Sequence, residues 1–599
     1  MMTVRPGLVL HAVAASVTAV LLAPLALPGY VLRYDMVFVP RQALSWEMIA
    51  PADALPRAVP LDAVVSVANL VAPGWLLQRI ALVAIVYLAA LGAARLLPSR
   101  RLLPKVVAAL AYAWTPYLAE RLLLGQWALL LAYACLPWMV AAIRDVRAGR
   151  PGAPARLVVA AAPAALTPTG GLIALAAVVV LMPLRQRATA IALAAVTALN
   201  APWLVAASTS AAGGASDPDG VGQFAARAEN WAGAWTALAG TGGIWNAQTV
   251  PASRESVLAP LVTVLLMAAA VPGLIELRRR WPGGAARLYA LAVGGFVLAV
   301  AGIVGPGVAL LEWAVVAVPG AGLLRDGQKF LIPYALVLAL GFALGAERAA
   351  AWLARRFEPS AGRVLLAGAA LLPLMVLPDL AFGAMGQLRP VRYPADWQQV
   401  AARVADRPGE VLSLPFEGYQ RYSWTGDVVV RDPAPRYLDA PVLINDALRV
   451  GTVTVDGESP RATAVGALLA AGRPAADAGT PWVLVRRGAG EPSVAVLAGL
   501  RLVYDGKYLQ LWDNPSAPPV SSVAGDGRRA WALFGHLLAA LVVLAGVLRL
   551  LLPGSRSWYG PPTHQFGEEE SWPNWPRSSS RPWPGASSAS SASSPRSGA

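Results

Sequence analysis

The chain has 599 residues, of which 57% are hydrophobic and only 14% are charged, and its mean hydropathy is +0.54. A soluble protein cannot bury that much apolar surface, so the composition predicts a protein with many membrane spans. The formal net charge of +15 comes from Lys and Arg in short loops between apolar runs. That distribution is typical of membrane proteins and argues against a nucleic-acid partner.

Cysteine and histidine are too rare to support several common kinds of site. Cys135 is the sole cysteine, so no intrachain disulfide can form. The three histidines form no Cys/His cluster, so the sequence predicts no thiolate or imidazole metal site. It also contains no GxxxxGK[ST] phosphate loop, GxSxG nucleophile elbow or HExxH pair. The abundance of Ala, Val, Leu, Arg, Gly and Pro is associated with GC-rich genomes and suggests an actinobacterium.

Apolar runs predict about twelve membrane spans, each close to the roughly 20 residues that cross a bilayer. They lie near 8–29, 76–97, 103–119, 123–143, 156–169, 170–184, 188–208, 257–275, 287–305, 329–347, 363–382 and 530–552. The fifth and sixth runs are short and meet at the sequence LTPTGG, which predicts a kinked or re-entrant hairpin. We interpret the first run as a membrane anchor rather than a cleaved signal peptide.

Five strongly basic loops fall on the same side of the membrane when these spans are counted. They are 95–105, 144–156, 185–187, 277–287 and 347–363. The positive-inside rule assigns that side to the cytoplasm, and both chain termini also fall there. We therefore predict an α-helical, multi-pass protein of the cytoplasmic membrane with both termini in the cytoplasm.

The opposite, extracytoplasmic side carries the three long connections, 30–75, 209–256 and 383–529. The last of these alternates helical and strand patterns. Its segment 393–415 reads as an amphipathic helix, a turn and a buried strand, and 500–515 reads as two strands joined by a turn. These patterns predict a small α/β domain before the last span.

Four regions therefore make up the predicted organisation. A multi-span membrane domain occupies 1–382, and the extracytoplasmic α/β domain occupies 383–529. The last transmembrane helix is 530–552. The remaining segment, 553–599, is rich in Ser, Pro and Trp and predicts a disordered cytoplasmic tail.

Asp35 follows the first span and stands between Arg33 and Arg41. An early extracytoplasmic acid, an interfacial segment, many spans and a late exterior domain together resemble the GT-C superfamily of membrane glycosyltransferases. The segments 113–138 and 199–205 are similar to parts of actinobacterial mannosyl- and arabinofuranosyltransferases of cell-envelope synthesis.

The resemblance implies transfer of a sugar from a polyprenyl phosphate donor to an extracytoplasmic cell-envelope acceptor. Asp35 would be the general base that takes the proton of the acceptor hydroxyl. Many members of the superfamily carry two neighbouring acids here, whereas this chain has Met36 after Asp35. The sequence therefore indicates no metal, and any cofactor is unknown. The alternative for Asp35 is an interfacial salt bridge with Arg33 or Arg41.

A lipid phosphate needs positive charge at the outer interface, because a buried phosphate without a partner is costly. The candidate donor-binding residues are Arg41, Arg325, Lys329 and Arg121, supported by Glu120 and Asp326. We expect Glu120 and Arg121 to form a tight exterior turn. The alternatives are that this turn is a solvated hairpin tip, and that Arg325, Asp326 and Lys329 form an interfacial anchor with an internal salt bridge.

Aromatic and charged residues in the exterior segments are candidates for contact with a glycan. They are Trp231, Glu417, Tyr419 and Trp424. The alternatives are membrane anchoring for Trp231 and ordinary packing for the other three.

Three functions remain open at this stage. The first is a GT-C type glycosyltransferase with a lipid-linked sugar and a glycan acceptor as partners. The second is a non-catalytic scaffold or glycan-binding membrane protein of envelope assembly. The third is a transporter or flippase, which we expect to carry mid-span charges and related halves that this sequence lacks.

Overall fold

A computed structural model of the protein describes residues 5–210, 212–488, 490, 492–518 and 527–552. The predicted tail at 553–599 lies outside the described residues. The structure is mostly helical. In chain order its α-helices are α1 (Pro6–Leu22), α2 (Trp46–Ile49), α3 (Leu61–Ala68), α4 (Gly74–Leu96), α5 (Leu102–Ala113), α6 (Pro116–Leu123), α7 (Trp127–Arg147), α8 (Ala153–Ala161), α9 (Pro168–Leu181), α10 (Arg187–Thr209), α11 (Asp219–Gln223), α12 (Gly233–Ala239), α13 (Ala259–Arg280), α14 (Ala285–Ala301), α15 (Gly305–Ala317), α16 (Ile332–Arg356), α17 (Pro359–Val376), α18 (Ala381–Gly386), α19 (Asp396–Asp406), α20 (Ala434–Tyr437), α21 (Pro460–Ala470) and α22 (Gly527–Leu551).

Eight helical stretches among the described residues are long and apolar enough to cross a membrane. They are Pro6–Ala26, Gly74–Leu96, Trp127–Arg147, Arg187–Thr209, Ala259–Arg280, Gly327–Arg356, Pro359–Val376 and Gly527–Leu551. A ninth span is formed if α14 and α15, which meet at 89°, are taken together. The chain is thus a multi-pass membrane protein, although the predicted number of about twelve spans is not confirmed.

The four remaining predicted spans are short or broken in the structure. The run at 103–119 divides into α5 and α6 at Trp114 and Thr115, and the runs at 156–169 and 170–184 form the short helices α8 and α9. The run at 287–305 forms α14, which bends sharply into α15. Hydropathy alone does not register such breaks, because the apolar residues continue through them.

Helix α16 is the central helix of the membrane region, and α13, α14, α17 and α5 pack around it. Its contact with α13 depends on glycine. A methyl group on Gly273 would lie 1.8 Å from the carbonyl oxygen of Gly341, and one on Gly345 would lie 1.8 Å from that of Ala269. Small residues therefore allow the two backbones to approach closely, as is typical of helix pairs in membranes.

Strands occur mainly after α18. They are β1 (Tyr30–Val31), β2 (Pro390–Val391), β3 (Val411–Leu414), β4 (Tyr419–Arg421), β5 (Val429–Arg431), β6 (Val442–Leu443), β7 (Leu448–Val450), β8 (Val453–Val455), β9 (Trp482–Arg486), β10 (Arg501–Asp505) and β11 (Leu509–Asp513). Five of them form one mixed sheet in the order β10-β11-β9-β3-β6, with β9 and β6 parallel to β3. Helix α19 packs on this sheet through Trp397, Val400 and Val404. The helix and strands predicted at 393–415 and 500–515 are present.

The three long connections lie together at one end of the helices. Tyr30 of β1 pairs with Val391 of β2, which joins the first connection to the third. Tyr34 donates a hydrogen bond to Gln248, which joins the first to the second. At the other end, Arg280 binds Glu347 at 2.8 Å and Arg287 donates to the carbonyl of Met182, so the basic loops also gather.

Candidate active site at the extracytoplasmic loops

Asp35 lies in a tight turn of the first long connection. The turn is closed by two backbone hydrogen bonds between Arg33 and Met36, of 3.2 and 2.8 Å. Tyr34 within it has a φ of +44°, a left-handed conformation that costs a non-glycine residue roughly 1–2 kcal/mol. Its backbone is held there by hydrogen bonds to Val429 and Arg431. The surrounding structure thus fixes the direction of the Asp35 side chain.

Gly125 lets this turn pack against the junction of α6 and α7. It has a φ of +79°, and a methyl group there would lie 2.3 Å from both the carbonyl oxygen of Arg33 and the amide nitrogen of Met36. The Asp35 amide donates to the carbonyl of Leu124 at 3.3 Å. A residue with a side chain at this position would displace the turn, so Gly125 sets the place of Asp35 relative to the membrane helices.

Two side chains from distant segments hold the Asp35 carboxylate. Tyr419 of β4 donates its phenolic proton to one oxygen at 2.5 Å, and Gln126 donates its amide to the other at 3.5 Å. Burial and the neighbouring Asp35 carboxylate raise the pKa of Tyr419 well above its usual value, so Tyr419 remains a donor at neutral pH. The carboxylate itself remains partly accessible.

Two cations interact with this carboxylate, and no described residue forms a direct ion pair with it. Lys329 and Arg431 both interact electrostatically with Asp35, and Arg57 interacts with Lys329 and with Tyr419. The Lys329 side chain is 26% exposed, and its ammonium lies 3.7 Å from Asp326. The alternative prediction, in which Asp35 pairs with Arg33 or Arg41, does not describe the geometry. Arg33 instead donates to the carbonyl of Leu123 at 2.8 Å.

A buried ion pair lies beneath the Asp35 turn. Arg121 binds both oxygens of Asp326, each at 2.7 Å, and its side chain is fully buried. Arg121 also donates to Gln126 at 2.7 Å, and Gln126 in turn donates to Asp35. Although burial opposes ionisation, Arg121 and Lys329 hold the pKa of Asp326 below its usual value. Asp35 is therefore connected to α6 and to the segment before α16.

Glu120, beside Arg121, forms an acid pair with Glu229 from the second connection. A methyl group on Gly242 would lie 2.7 Å from Glu120 Oε1 and 2.1 Å from Glu229 Oε1, so both oxygens face one point. Burial, followed by the charge of Glu229, raises the pKa of Glu120 well above its usual value. Glu120 therefore keeps its proton to a higher pH than an ordinary carboxyl group does. Glu229 also binds Arg254 at 2.8 Å.

The predicted exterior turn at Glu120 and Arg121 is wrong. Both residues lie on helix α6 and are completely buried. The helix begins here because Thr115 caps it, accepting a hydrogen bond from the Leu118 amide, and Pro116 follows at the first helical position. The Thr-Pro sequence indicates the start of this helix, but the charged residues after it led to the prediction of a turn.

The other predicted donor-binding residues occupy different environments. Lys329 is near Asp35, as described above. Arg325 binds Glu458 at 2.9 Å and lies over the ring of Phe224, while its Nη1 is buried without an acceptor among the described residues. Arg41 is exposed and makes no hydrogen bond or ion pair in the described part of the chain. These three cations do not form one cluster around a single point.

The residues predicted to contact a glycan also separate. Tyr419 is half-buried and donates to Asp35. Trp424 is half-buried among Tyr393 and Tyr422, which occupy its ring surface. Trp231 is 66% exposed and donates to the carbonyl of Val257 at the start of α13. Glu417 is exposed at the end of β3.

Several site residues escaped the sequence analysis. Gln126, Arg57, Arg431 and Gln328 lie in connections or at helix ends where no pattern distinguishes them from other polar residues. Gln328 donates to Glu120 at 3.0 Å and joins the acid pair to the segment before α16. Only their three-dimensional neighbours give them a role.

The described residues bring no three His, Cys, Asp or Glu side chains together as metal ligands. The residue after Asp35 is Met36, which is fully buried.

No protein-family model matches the sequence, and no curated protein matches it. Solved structures do share its fold. Arabinofuranosyltransferase AftD from mycobacteria superposes with a TM-score of 0.51 and 17% sequence identity, over 85% of this chain and 39% of AftD. A mutant of AftD gives a TM-score of 0.50 and 18% identity, over 85% of this chain and 41% of the mutant. The chain thus spans less than half the length of AftD.

ArnT from Cupriavidus metallidurans, solved with undecaprenyl phosphate bound, gives a TM-score of 0.37 and 15% identity. That match covers 87% of this chain and 99% of ArnT. The resemblance to arabinofuranosyltransferases inferred from the sequence is confirmed at the level of the fold, which this chain shares with AftD.

Proposed function

We propose that this protein is a membrane glycosyltransferase that moves a sugar from a polyprenyl phosphate donor to a cell-envelope acceptor outside the cytoplasmic membrane. The observation that carries the proposal is the setting of Asp35. Its carboxylate is fixed by Tyr419 and Gln126, remains partly accessible and faces Lys329 and Arg431 where three connections meet.

In this proposal Asp35 is the general base. A hydroxyl of the acceptor attacks the anomeric carbon of the donor sugar, and its proton passes to the Asp35 carboxylate. The new bond joins the acceptor oxygen to the anomeric carbon, while the bond from that carbon to the phosphate oxygen breaks. The phosphate leaves with the electron pair of that bond. General-base catalysis of this kind contributes about 10²- to 10⁴-fold to a rate.

The leaving phosphate gains negative charge and needs a cation nearby. Lys329 is the best placed of the predicted donor-binding residues, because it interacts with Asp35 and is partly exposed. Arg57 lies in the same neighbourhood, and both Arg57 and Arg325 bind Glu458. We assign Arg121 and Asp326 a positioning role, since each already neutralises the other.

The acceptor is a glycan of the cell envelope in this proposal, and exposed residues of the exterior segments would contact it. Trp231 and Glu417 remain candidates because both are exposed. Tyr419 and Trp424 act from within the protein, Tyr419 through Asp35 and Trp424 through aromatic packing. We place both termini in the cytoplasm, in accordance with the basic loops.

A second candidate function is a non-catalytic membrane scaffold that binds glycan. The observation in its favour is Met36, which stands buried where a neighbouring acid would be expected from the GT-C resemblance. A scaffold would not need the hydrogen bond from Tyr419 to the Asp35 carboxylate.

Substitution of Asp35 distinguishes the glycosyltransferase from the scaffold. In vesicles supplied with a radiolabelled polyprenyl phosphate sugar and envelope glycan, we expect Asp35→Asn to lower transfer by about 10²- to 10⁴-fold. Asp53→Asn, an exposed acid of the same connection, is the matched control and should retain activity. Transfer by Asp35→Asn at the wild-type rate would exclude Asp35 as the base and support the scaffold.

Lys329→Met tests the donor cation separately. Because the ammonium would bind phosphate, the KM for the donor should rise by roughly tenfold, equivalent to the loss of one charged hydrogen bond. Arg41→Met is the comparison for this variant. Arg41 is a predicted donor-binding residue that is more distant from Asp35, is exposed and has no partner among the described residues. An unchanged donor KM for Lys329→Met would remove Lys329 from the donor site.

A further inference from the structure

A groove in the membrane region lies apart from Asp35. It is bounded by the outer halves of α5, α13, α16 and α17. Its walls are mostly apolar, including Val262, Leu266, Leu338, Phe342 and Val376. Helices α13 and α17 both pack on α16 but make few contacts with each other, so the groove opens sideways toward the bilayer.

One end of the groove is polar and carries the ion pair of Arg254 with Glu229. Arg254, just before α13, lines it, and its Nε binds Glu229 at 2.8 Å. The two terminal amino groups of Arg254 have no hydrogen-bond acceptor among the residues that the structure describes. Thr241 beside it is 2% exposed, and its hydroxyl is buried without a partner in the same part of the structure. These donors are unused by the protein.

The combination matches one kind of molecule. An apolar trough fits a hydrocarbon chain, and unpaired guanidinium and hydroxyl donors at its head fit a phosphate group. Because Arg254 belongs to the second long connection, the head of such a molecule would lie at the outer interface.

The groove does not lead to the reaction centre described above. Five side chains joined by hydrogen bonds or close contact lie between Arg254 and Asp35. They are the buried Glu229, Glu120, Gln328 and Arg121 and the half-buried Gln126. A phosphate on Arg254 is therefore separated from the Asp35 carboxylate by protein.

We propose that this groove holds a phospholipid of the outer leaflet as a resident lipid, with one acyl chain along α16 and its phosphate on Arg254 and Thr241. The lipid would fill the space between α13 and α17 and would take no part in the reaction. This proposal is independent of the glycosyltransferase activity and of Asp35.

Lipid analysis by mass spectrometry tests the proposal on the full-length protein, purified in mild detergent. Wild-type protein should retain phospholipid in a constant ratio to protein. Val262→Trp, which fills the groove from α13, should lower this retention by roughly tenfold, as expected for the loss of a chain-sized contact. Val264→Trp, on the same helix but 60% exposed, is the matched control and should retain lipid as wild type does.

Headgroup dependence gives a second test. Added phosphatidylglycerol should raise the thermal unfolding midpoint of delipidated wild type more than dioleoylglycerol, which lacks a phosphate. In Arg254→Gln the two additives should have equal effects. If Arg254→Gln does not fold, the same comparison is made with Arg254→Lys, which keeps the positive charge beside Glu229.

Three results would overturn the proposal. They are equal phospholipid retention by Val262→Trp and wild type, equal stabilisation of wild type by phosphatidylglycerol and dioleoylglycerol, and recovery of a polyprenyl phosphate rather than a phospholipid from the wild-type groove. The last result would make the groove part of the donor's path.

Discussion

Tyr419 donates its phenolic proton to the carboxylate of Asp35, although 384 positions separate the two residues in the chain. The contact joins the first long connection to a strand of the third. It also orients an acid that is otherwise held by one longer hydrogen bond, from Gln126.

We predict that Tyr419→Phe lowers the transfer rate by about 10- to 100-fold with little change in donor KM. A hydrogen bond to a charged group contributes about 1.5–3 kcal/mol, and 1.4 kcal/mol corresponds to a factor of ten. Tyr504→Phe, which removes a tyrosine hydroxyl that binds Asp396, serves as the control. Steady-state kinetics would measure both, and an unchanged rate for Tyr419→Phe would show that Asp35 does not depend on this donor.

A second prediction concerns the buried pair of Arg121 and Asp326. Asp326→Asn leaves a buried guanidinium without its counter-ion, so we expect a loss of about 3–5 kcal/mol in the free energy of unfolding. The double variant Arg121→Met with Asp326→Leu removes both charges and should lose much less.

Unfolding by denaturant in detergent micelles measures this difference. Asp477→Asn, in the exposed pair of Asp477 with Arg473, should change stability by less than about 0.5 kcal/mol. If the double variant were as unstable as Asp326→Asn alone, uncompensated charge would not be the cause.

A third prediction follows from the raised pKa of Glu120. The folded protein keeps a proton on Glu120 that the unfolded chain releases above the usual value of 4.5. Stability should therefore fall as pH rises from about 5 toward the raised pKa of the folded state. Glu120→Gln carries an amide in place of the protonated acid. Its stability should therefore depend less on pH, and it should be more stable than wild type at alkaline pH.

Thermal unfolding of both proteins between pH 5 and 9 tests this sign. Glu255→Gln removes an exposed acid close in the chain to Arg254 and should leave the wild-type slope unchanged. If stability depended on pH in the same way in wild type and in Glu120→Gln, the result would contradict a raised pKa for Glu120.

A fourth prediction tests the orientation in the membrane. In a Cys135→Ala background, a cysteine introduced by Asp53→Cys should react with a membrane-impermeant maleimide in intact cells. Arg355→Cys, in a basic loop, should react only after lysis. Both positions are exposed in the structure. The opposite pattern would place Asp35 in the cytoplasm and exclude an extracytoplasmic reaction.

The sequence predicts those parts of the fold that depend on local patterns. Hydropathy locates the long spans. The charge of the loops predicts which of them meet at the same end of the helices, as the contacts of Arg280 with Glu347 and of Tyr34 with Gln248 illustrate. It misses breaks such as that at Thr115, where a capped helix begins inside an apolar run.

The candidate site was predictable only in part. Asp35 and Lys329 stand out because they are charged residues close to membrane spans on the side opposite the five basic loops. Their neighbours Gln126 and Arg431 do not, because polar residues in connections are common and tertiary packing alone selects them. The acid pair of Glu120 and Glu229 joins positions 109 residues apart in number, which no local pattern could connect.

The dispersal of the site along the chain has a consequence for biosynthesis. A ribosome delivers the turn that bears Asp35 near the start of translation, but the strand that bears Tyr419 emerges only after most membrane helices have been inserted. A nascent protein released before that strand reaches the far side of the membrane would carry the acid without its tyrosine. Premature termination would thus yield an integrated but incompletely assembled product.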